Sequence, residues 1–191
     1  PKVWNAWKGK LLEDLYKLTV RTLGGRAPDP GAVIESRKRQ ALIQLALASE
    51  PQDSHKRLWD TLEVSYFMRH DAGEIAWHTR QLARHAVRPV ATKTEAVGAG
   101  GASAGTVKTF ETIVRARLSP VGEGLQVLVY AADQPDLFAR ICGYFDRAGF
   151  SILDAKIHTT RNGRALATFQ IITPLVPDHN REFIGMVEAE L

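Results

Sequence analysis

Residues 124–174 leave this chain little choice of fold. They read GLQVLVYAADQPDLFARICGYFDRAGFSILDAKIHTTRNGRALATFQIITP. Leu125 to Ala131 is an apolar run of strand length. Asp133-Gln134-Pro135-Asp136 then reads as a helix start, with Pro in the first turn and acids at the positive end of the helix dipole. Leu137, Phe138, Ile141, Phe145 and Ala148 recur on one helical face, and Gly149 supplies a C′ stop. From Ile152 to Thr160, apolar Leu153, Ala155 and Ile157 alternate with Asp154, Lys156 and His158, which predicts a strand with one apolar and one polar face. Asn162-Gly163 predicts a hairpin whose return strand runs from Ala165 to Thr173, ended by Pro174. This βαββ unit contains no reactive constellation.

The flanks extend the pattern. ETIVRARL at 111–118 alternates as an edge strand does, and Pro120 and Gly122 part it from the next strand. Phe183, Ile184, Val187 and Leu191 mark a closing helix. The first half is helical throughout. Trp4, Trp7, Leu11, Leu15 and Leu18 recur at spacings of three and four up to the stop at Gly24-Gly25, with a loop over 28–31. A second helix is expected from Ala32 to Ser49, with Ile34, Ala41, Leu42, Leu45 and Ala48 on its apolar side. A shorter piece spans 54–64 around Leu58, Trp59 and Leu62. A further helix runs from about Ala72 to Ala86, opened by a capping box from Asp71 to Glu74 and turning Ile75 and Leu82 inward. All four Trp precede residue 80, which predicts an aromatic core belonging to the helical half. ATKTEAVGAGGASAGT at 91–106 carries four glycines and almost no bulky apolar residue, as a linker does. The expected organisation is a helical segment over 1–90, a linker over 91–106 and an α+β unit over 107–191.

Composition narrows the functional classes. With 45% hydrophobic and 24% charged residues among 191, the chain suits a soluble globular protein. No run of about 18 apolar residues is present, and no secretion leader opens the chain, so neither a membrane span nor export is indicated. The single cysteine, Cys142, fits a reducing cytoplasm. A start at Pro1 inside helical sequence indicates a piece of a longer protein. The formal charge of +4 divides unevenly: 15 Lys and Arg face 10 Asp and Glu in residues 1–90, and 10 face 11 thereafter. Arg37, Lys38, Arg39, Lys56 and Arg57 belong to solvated helix faces, because no nucleic-acid motif accompanies them.

Catalytic chemistry finds little support. His70-Asp71, with His78 and His85 beyond, imitates the paired metal ligands of a phosphohydrolase, but no further ligands converge by sequence and Asp71 already serves as a cap. Glu74 and His78, four apart, read as an ordinary surface or interhelical pair. Cys142 has no basic neighbour at helical spacing and reads as a packed thiol. Gly98, Gly100 and Ser103 form only part of a dinucleotide fingerprint, with no strand before and no helix after. No catalytic or metal-binding residue is expected. The turn from Asp133 to Phe138 remains: a strand feeding a helix N-terminus suits a small anion, and an ordinary βα turn capped by acids accounts for it equally well.

DQPDLFARICGYFDRAGFSILDAKIHTTRNGRALATFQI resembles the first ACT domain of the bifunctional PII uridylyltransferase/uridylyl-removing enzymes. PKVWNAWKGKLLEDLY and FMRHDAGEIAWHTR resemble the helices that follow the HD domain core in that family. The resemblance implies an α+β chain: a helical segment, then a ferredoxin-like βαββα(β) ACT domain lacking its last strand, with an open sheet edge and pairing between ACT domains or a homodimer. It implies a cytoplasmic nitrogen sensor with glutamine as effector and the PII signal protein as partner, uridylylated from UTP and deuridylylated by active sites outside this chain. Mg2+ or Mn2+ would serve the longer protein. It implies an amino-acid site at a domain interface, formed by Asp133, Gln134, Pro135, Asp136, Leu137 and Phe138 with Gly149, Ser151 and Ile152 opposite. Many ACT domains have Gly where this sequence has Asp136. A non-catalytic interaction module that binds no amino acid is the alternative.

Overall fold

The computed structural model describes residues 6–24, 29–85, 112–120, 122–172 and 180–191. The expected linker over 91–106 and Trp4 lie outside the described residues. Five helices come first: α1 (Ala6–Leu23), α2 (Pro30–Leu47), α3 (Lys56–Trp59), α4 (Val64–Arg69) and α5 (Ala72–Leu82). Strands β1 (Ile113–Leu118) and β2 (Leu125–Ala132), helix α6 (Leu137–Arg147), strands β3 (Ser151–Thr159) and β4 (Arg164–Ile172) and helix α7 (Asn180–Glu190) follow.

Local chemistry sets the boundaries. The α2 helix begins earlier than its apolar pattern, because the Asp29 carboxylate accepts from the amides of Gly31 and Ala32 and Pro30 occupies the first turn. The capping box forms as expected, with the Glu74 amide donating to Asp71 and the Asp71 amide to Glu74. Gly149 ends α6 with φ of 75°. In the hairpin only Gly163 takes a positive φ (73°), and the Gly163 amide donates to the Thr160 carbonyl. The α4 helix carries no clear period of its own; it is ordered by burying Tyr66 and Phe67.

The sheet is antiparallel in the order β1-β2-β4-β3. β1 pairs with β2 along its length, from Ile113 opposite Tyr130 to Leu118 opposite Leu125, which leaves β1 and β3 as the edges of the open sheet. The α7 helix then covers the β1 side, and Glu188 accepts from the Ala116 amide. The α+β arrangement is thus a four-stranded sheet with helices on both faces.

The two faces of the sheet differ in chemistry. Val114, Val127, Val129, Ala167, Phe169 and Ile171 pack on α6 and α7 with Ile141, Phe145 and Val187. Edge-on contacts among Phe145, Phe150 and Phe169 tighten that layer. The other face packs on the helical half. Ile113, Leu128, Tyr130 and Leu166 join Ile34, Leu45, Leu58, Tyr66, Ile75 and Leu82 in a single core. The helical half therefore has no aromatic core of its own: Trp77 is buried in a core that the sheet closes. The α1 helix joins neither core, with Leu11, Leu15 and Leu18 each more than half exposed, although its Lys10, Leu11 and Asp14 line a cavity shared with α2, α5 and the sheet.

Candidate functional site

The βα turn opens a cleft of about 340 Å³. Beyond β2 the chain is tied down at Asp133, whose amide donates to the Gly163 carbonyl (3.2 Å) and whose carboxylate accepts from the Thr159 hydroxyl (2.9 Å). Gln134 accepts from Arg140 (3.1 Å). The helix starts two residues later than Pro135 suggests: Leu137 is its first residue and Asp136 its N-cap. Asp136 sits at φ 62°, ψ 7° and makes no side-chain cap hydrogen bond. That left-handed backbone suits Gly and is tolerated by Asp at some cost, which explains why glycine can stand there. The Leu137 amide donates to the Gln134 carbonyl (3.2 Å), and without a side-chain cap the Phe138 and Ala139 amides are left for water or a ligand. Asp133, Gln134, Asp136, Leu137 and Phe138 line the cleft, and Ile157, Ala165 and Ala167 form its sheet side. Pro135 is not among the lining residues. Phe138, nearly half exposed, stacks at 5.9 Å on Phe169.

Gly149, Ser151 and Ile152 lie elsewhere. Ser151 pairs with Ile172 and Ile152 with Ile171, whereas Ala132 pairs with Arg164. The two groups of expected site residues therefore occupy opposite ends of one sheet and do not meet within one copy of the domain.

A second constellation, unanticipated from the sequence, lies in the seam between α5 and the sheet. Glu74 accepts from Lys156 at both oxygens (2.8 and 2.9 Å), from Gln126 (2.8 Å), from His70 Nδ1–H (3.2 Å) and from the Asp71 amide (3.1 Å). Burial pushes this carboxyl up, but His70 and Lys156 beside it prevail and hold it far below the usual carboxylate range. Arg117 donates to Gln126 (2.8 and 2.6 Å) and lies 4.1 Å over the Trp77 ring. The expected Glu74–His78 pair does not form. His78 is fully buried and faces the Tyr66 hydroxyl (2.8 Å) and the Thr168 hydroxyl (3.3 Å). Burial first, then the nearby His70, holds its pKa well below the usual imidazole value. The sequence signal was available in phase: Gln126, Thr168 and Gln170 interrupt the apolar runs Leu125–Ala132 and Ala165–Ile172.

His70 and Asp71 divide between these roles, the one bonded to Glu74 and the other capping α5. Among the described residues no three His, Cys, Asp or Glu side chains converge as metal donors. Cys142 packs against the α6–α7 core, and burial raises its thiol pKa. Among the described residues no helix is long and apolar enough to cross a membrane.

Known proteins place this architecture. The family model described as the uridylyltransferase GlnD fifth domain matches residues 29–81, from the cap of α2 into the last turn of α5. The bifunctional uridylyltransferase/uridylyl-removing enzyme of Ralstonia nicotianae is 52% identical over 195 residues, covering 100% of this chain. The proteins of the same description from Burkholderia vietnamiensis and Cupriavidus pinatubonensis are 50% and 49% identical, again over the whole chain. The chain spans 20% of the length of each of these relatives. No solved structure gives a significant match. With about half of its residues identical from end to end, the chain belongs to the bifunctional uridylyltransferase/uridylyl-removing enzyme family and corresponds to one fifth of the length of those relatives.

Proposed function

We propose that this chain is the effector-sensing part of a cytoplasmic enzyme that uridylylates the PII signal protein from UTP and removes the uridylyl group again, and that glutamine is the effector. The observation that carries this reading is the cleft at Asp133–Phe138, where an uncapped helix N-terminus opens beside an apolar sheet surface. The first-turn amides of Phe138 and Ala139 suit the α-carboxylate. The Asp136 carboxylate, not engaged in capping, suits the ammonium. Ile157, Ala165 and Ala167 suit the side-chain methylenes. The transfer and hydrolysis themselves belong to regions outside this chain, with Mg2+ or Mn2+ as their cofactor. Because Gly149, Ser151 and Ile152 stand at the far end of the sheet, a site using both groups needs a second ACT domain, set antiparallel to this one.

Calorimetric titration of glutamine into this chain, and into one extended through a following ACT domain, tests the proposal. Saturable heat in the extended protein, weakened by Phe138→Ala, is expected; no heat in either protein overturns the glutamine role. The exposed leucines of α1 favour a second reading, an interaction module without an amino-acid ligand. It predicts concentration-dependent assembly, seen by sedimentation, that glutamine leaves unchanged.

A further inference from the structure

The seam opens into a cavity of about 440 Å³ between the helical half and the polar end of the sheet. A β-bulge shapes its sheet wall. Ile152 pairs with Ile171 and the next paired residue is Asp154, opposite Gln170, so the register skips Leu153. One skipped residue reverses the phase of the strand. Ile152 packs with the α6–α7 core, while Asp154 and Lys156 line the cavity on the opposite face. Lys156 is taken up by Glu74. Asp154, half-buried, has no ion-pair or hydrogen-bond partner among the described residues. The helical wall offers the complementary charge. Arg37 spends Nη1 on the carbonyls of Phe67, Met68 and His70, and its Nε and Nη2 donate to no described residue. Arg69, at the end of α4, likewise has no ion-pair partner among the described residues.

The cavity thus sets unspent guanidinium donors on one wall against an unspent carboxylate on the other. Lys10 and Asp14 of α1 also line the cavity but pair with each other, and Asp71 is occupied in capping α5. A simple anion would meet the carboxylates of Glu74, Asp71 and Asp154, and a simple cation would meet Arg37 and Arg69. A molecule with both charges satisfies both walls. Thr168 and Gln170 complete a hydrogen-bonding lining, which favours a polar remainder. We propose that the seam holds a second effector site, distinct from the turn cleft, for a small zwitterion of the α-amino acid class, with its carboxylate toward Arg69 and Arg37 and its ammonium on Asp154. A ligand there would bridge the helical half and the sheet.

Amide chemical-shift mapping of the 15N-labelled chain with L-glutamine, L-glutamate and glycine, each at about 10 mM, tests the site, with inorganic phosphate as the anion control. Amino-acid shifts clustered on Asp154, Lys156 and Gln170 are expected. They should weaken roughly tenfold or more in Asp154→Asn and in Arg69→Gln, and persist in Phe138→Ala. Neither Asp154 nor Arg69 holds an ion pair among the described residues, so both variants should keep the wild-type fold, checked by their unperturbed spectra. Equal shifts in both variants, equal shifts with phosphate, or no shifts in the seam overturn the proposal. Shifts confined to 133–138 overturn it while leaving the turn cleft standing.

Discussion

Replacing Glu74 by Gln should cost about 3 kcal/mol of folding stability. The carboxylate is 7% exposed and its partner Lys156 only 22%. In the variant, the amide oxygen still serves the Asp71 N–H, but the amide nitrogen turns a donor toward Lys156 and Gln126. Removing one partner of a buried ion pair costs roughly 3–5 kcal/mol, and the partial exposure of Lys156 puts this case at the low end. That is a large share of the roughly 5–15 kcal/mol that keeps a domain folded. Urea unfolding followed by intrinsic tryptophan fluorescence, to which Trp77, stacked under Arg117 in the same seam, contributes, measures it. Lys156→Met supplies the second arm. With the ammonium gone, the double variant should recover about 1–2 kcal/mol relative to the sum of the single losses. A loss under about 1 kcal/mol for Glu74→Gln, or strict additivity in the double variant, would show that the seam does not depend on this charge pair.

Three further outcomes follow from individual positions. Asp136→Gly should stabilise the chain by about 0.5–1 kcal/mol in the same urea assay, because Gly adopts the φ of 62° without steric cost. Gly124→Ala should destabilise by about 2–3 kcal/mol, since at φ +94° its Cβ would lie 2.1 Å from the Ile171 carbonyl oxygen and the strand would have to shift. Acid should loosen the seam through His158: burial first, then His70, Arg69 and Lys156, lower its pKa from 6.5 to about 4, with the Tyr66 ring also packed on it. The unfolded imidazole takes up its proton first, so this contribution is complete above pH 6.5 and is lost as pH falls toward 4, by roughly 2–3 kcal/mol. His158→Gln should flatten that part of the profile.

Local signals reported themselves faithfully in the sequence. The Asp71–Glu74 capping box, the Gly149 stop and the Asn162-Gly163 hairpin each depend on neighbours within a few residues, and each formed. What escaped depends on residues far apart. The spacing of α1 predicted an amphipathic helix, and its leucines face solvent among the described residues; periodicity says which face is apolar and not what covers it. The aromatic core was assigned to the helical half because the four Trp precede residue 80, while the residues that close it, Ile113, Leu128, Tyr130 and Leu166, all come from the second half of the chain. For the turn cleft, the residues were legible and the geometry was not: nothing in the letters DQPD distinguishes Pro inside the first turn from Pro before it.

The seam shows why a polar strand face need not be a wet one. Asp154, Lys156 and His158 alternate with apolar residues as they would on a solvent-facing strand, and that was their natural reading. Two conditions turn them inward. The skip at Leu153 fixes their phase toward the helical half, and α5 brings Glu74 to meet them through the same capping box that starts the helix. Glu74 therefore does two jobs with one carboxylate: it closes its own helix N-terminus and it neutralises a lysine on a strand 82 positions away. A charge placed for local capping has become the anchor between the two halves of the chain. Any movement of the sheet that shifts Lys156 must then either carry α5 with it or leave a buried carboxylate unpaired, and the latter is the more costly course. That asymmetry is the physical basis for expecting the helical half to follow the sheet when a ligand binds.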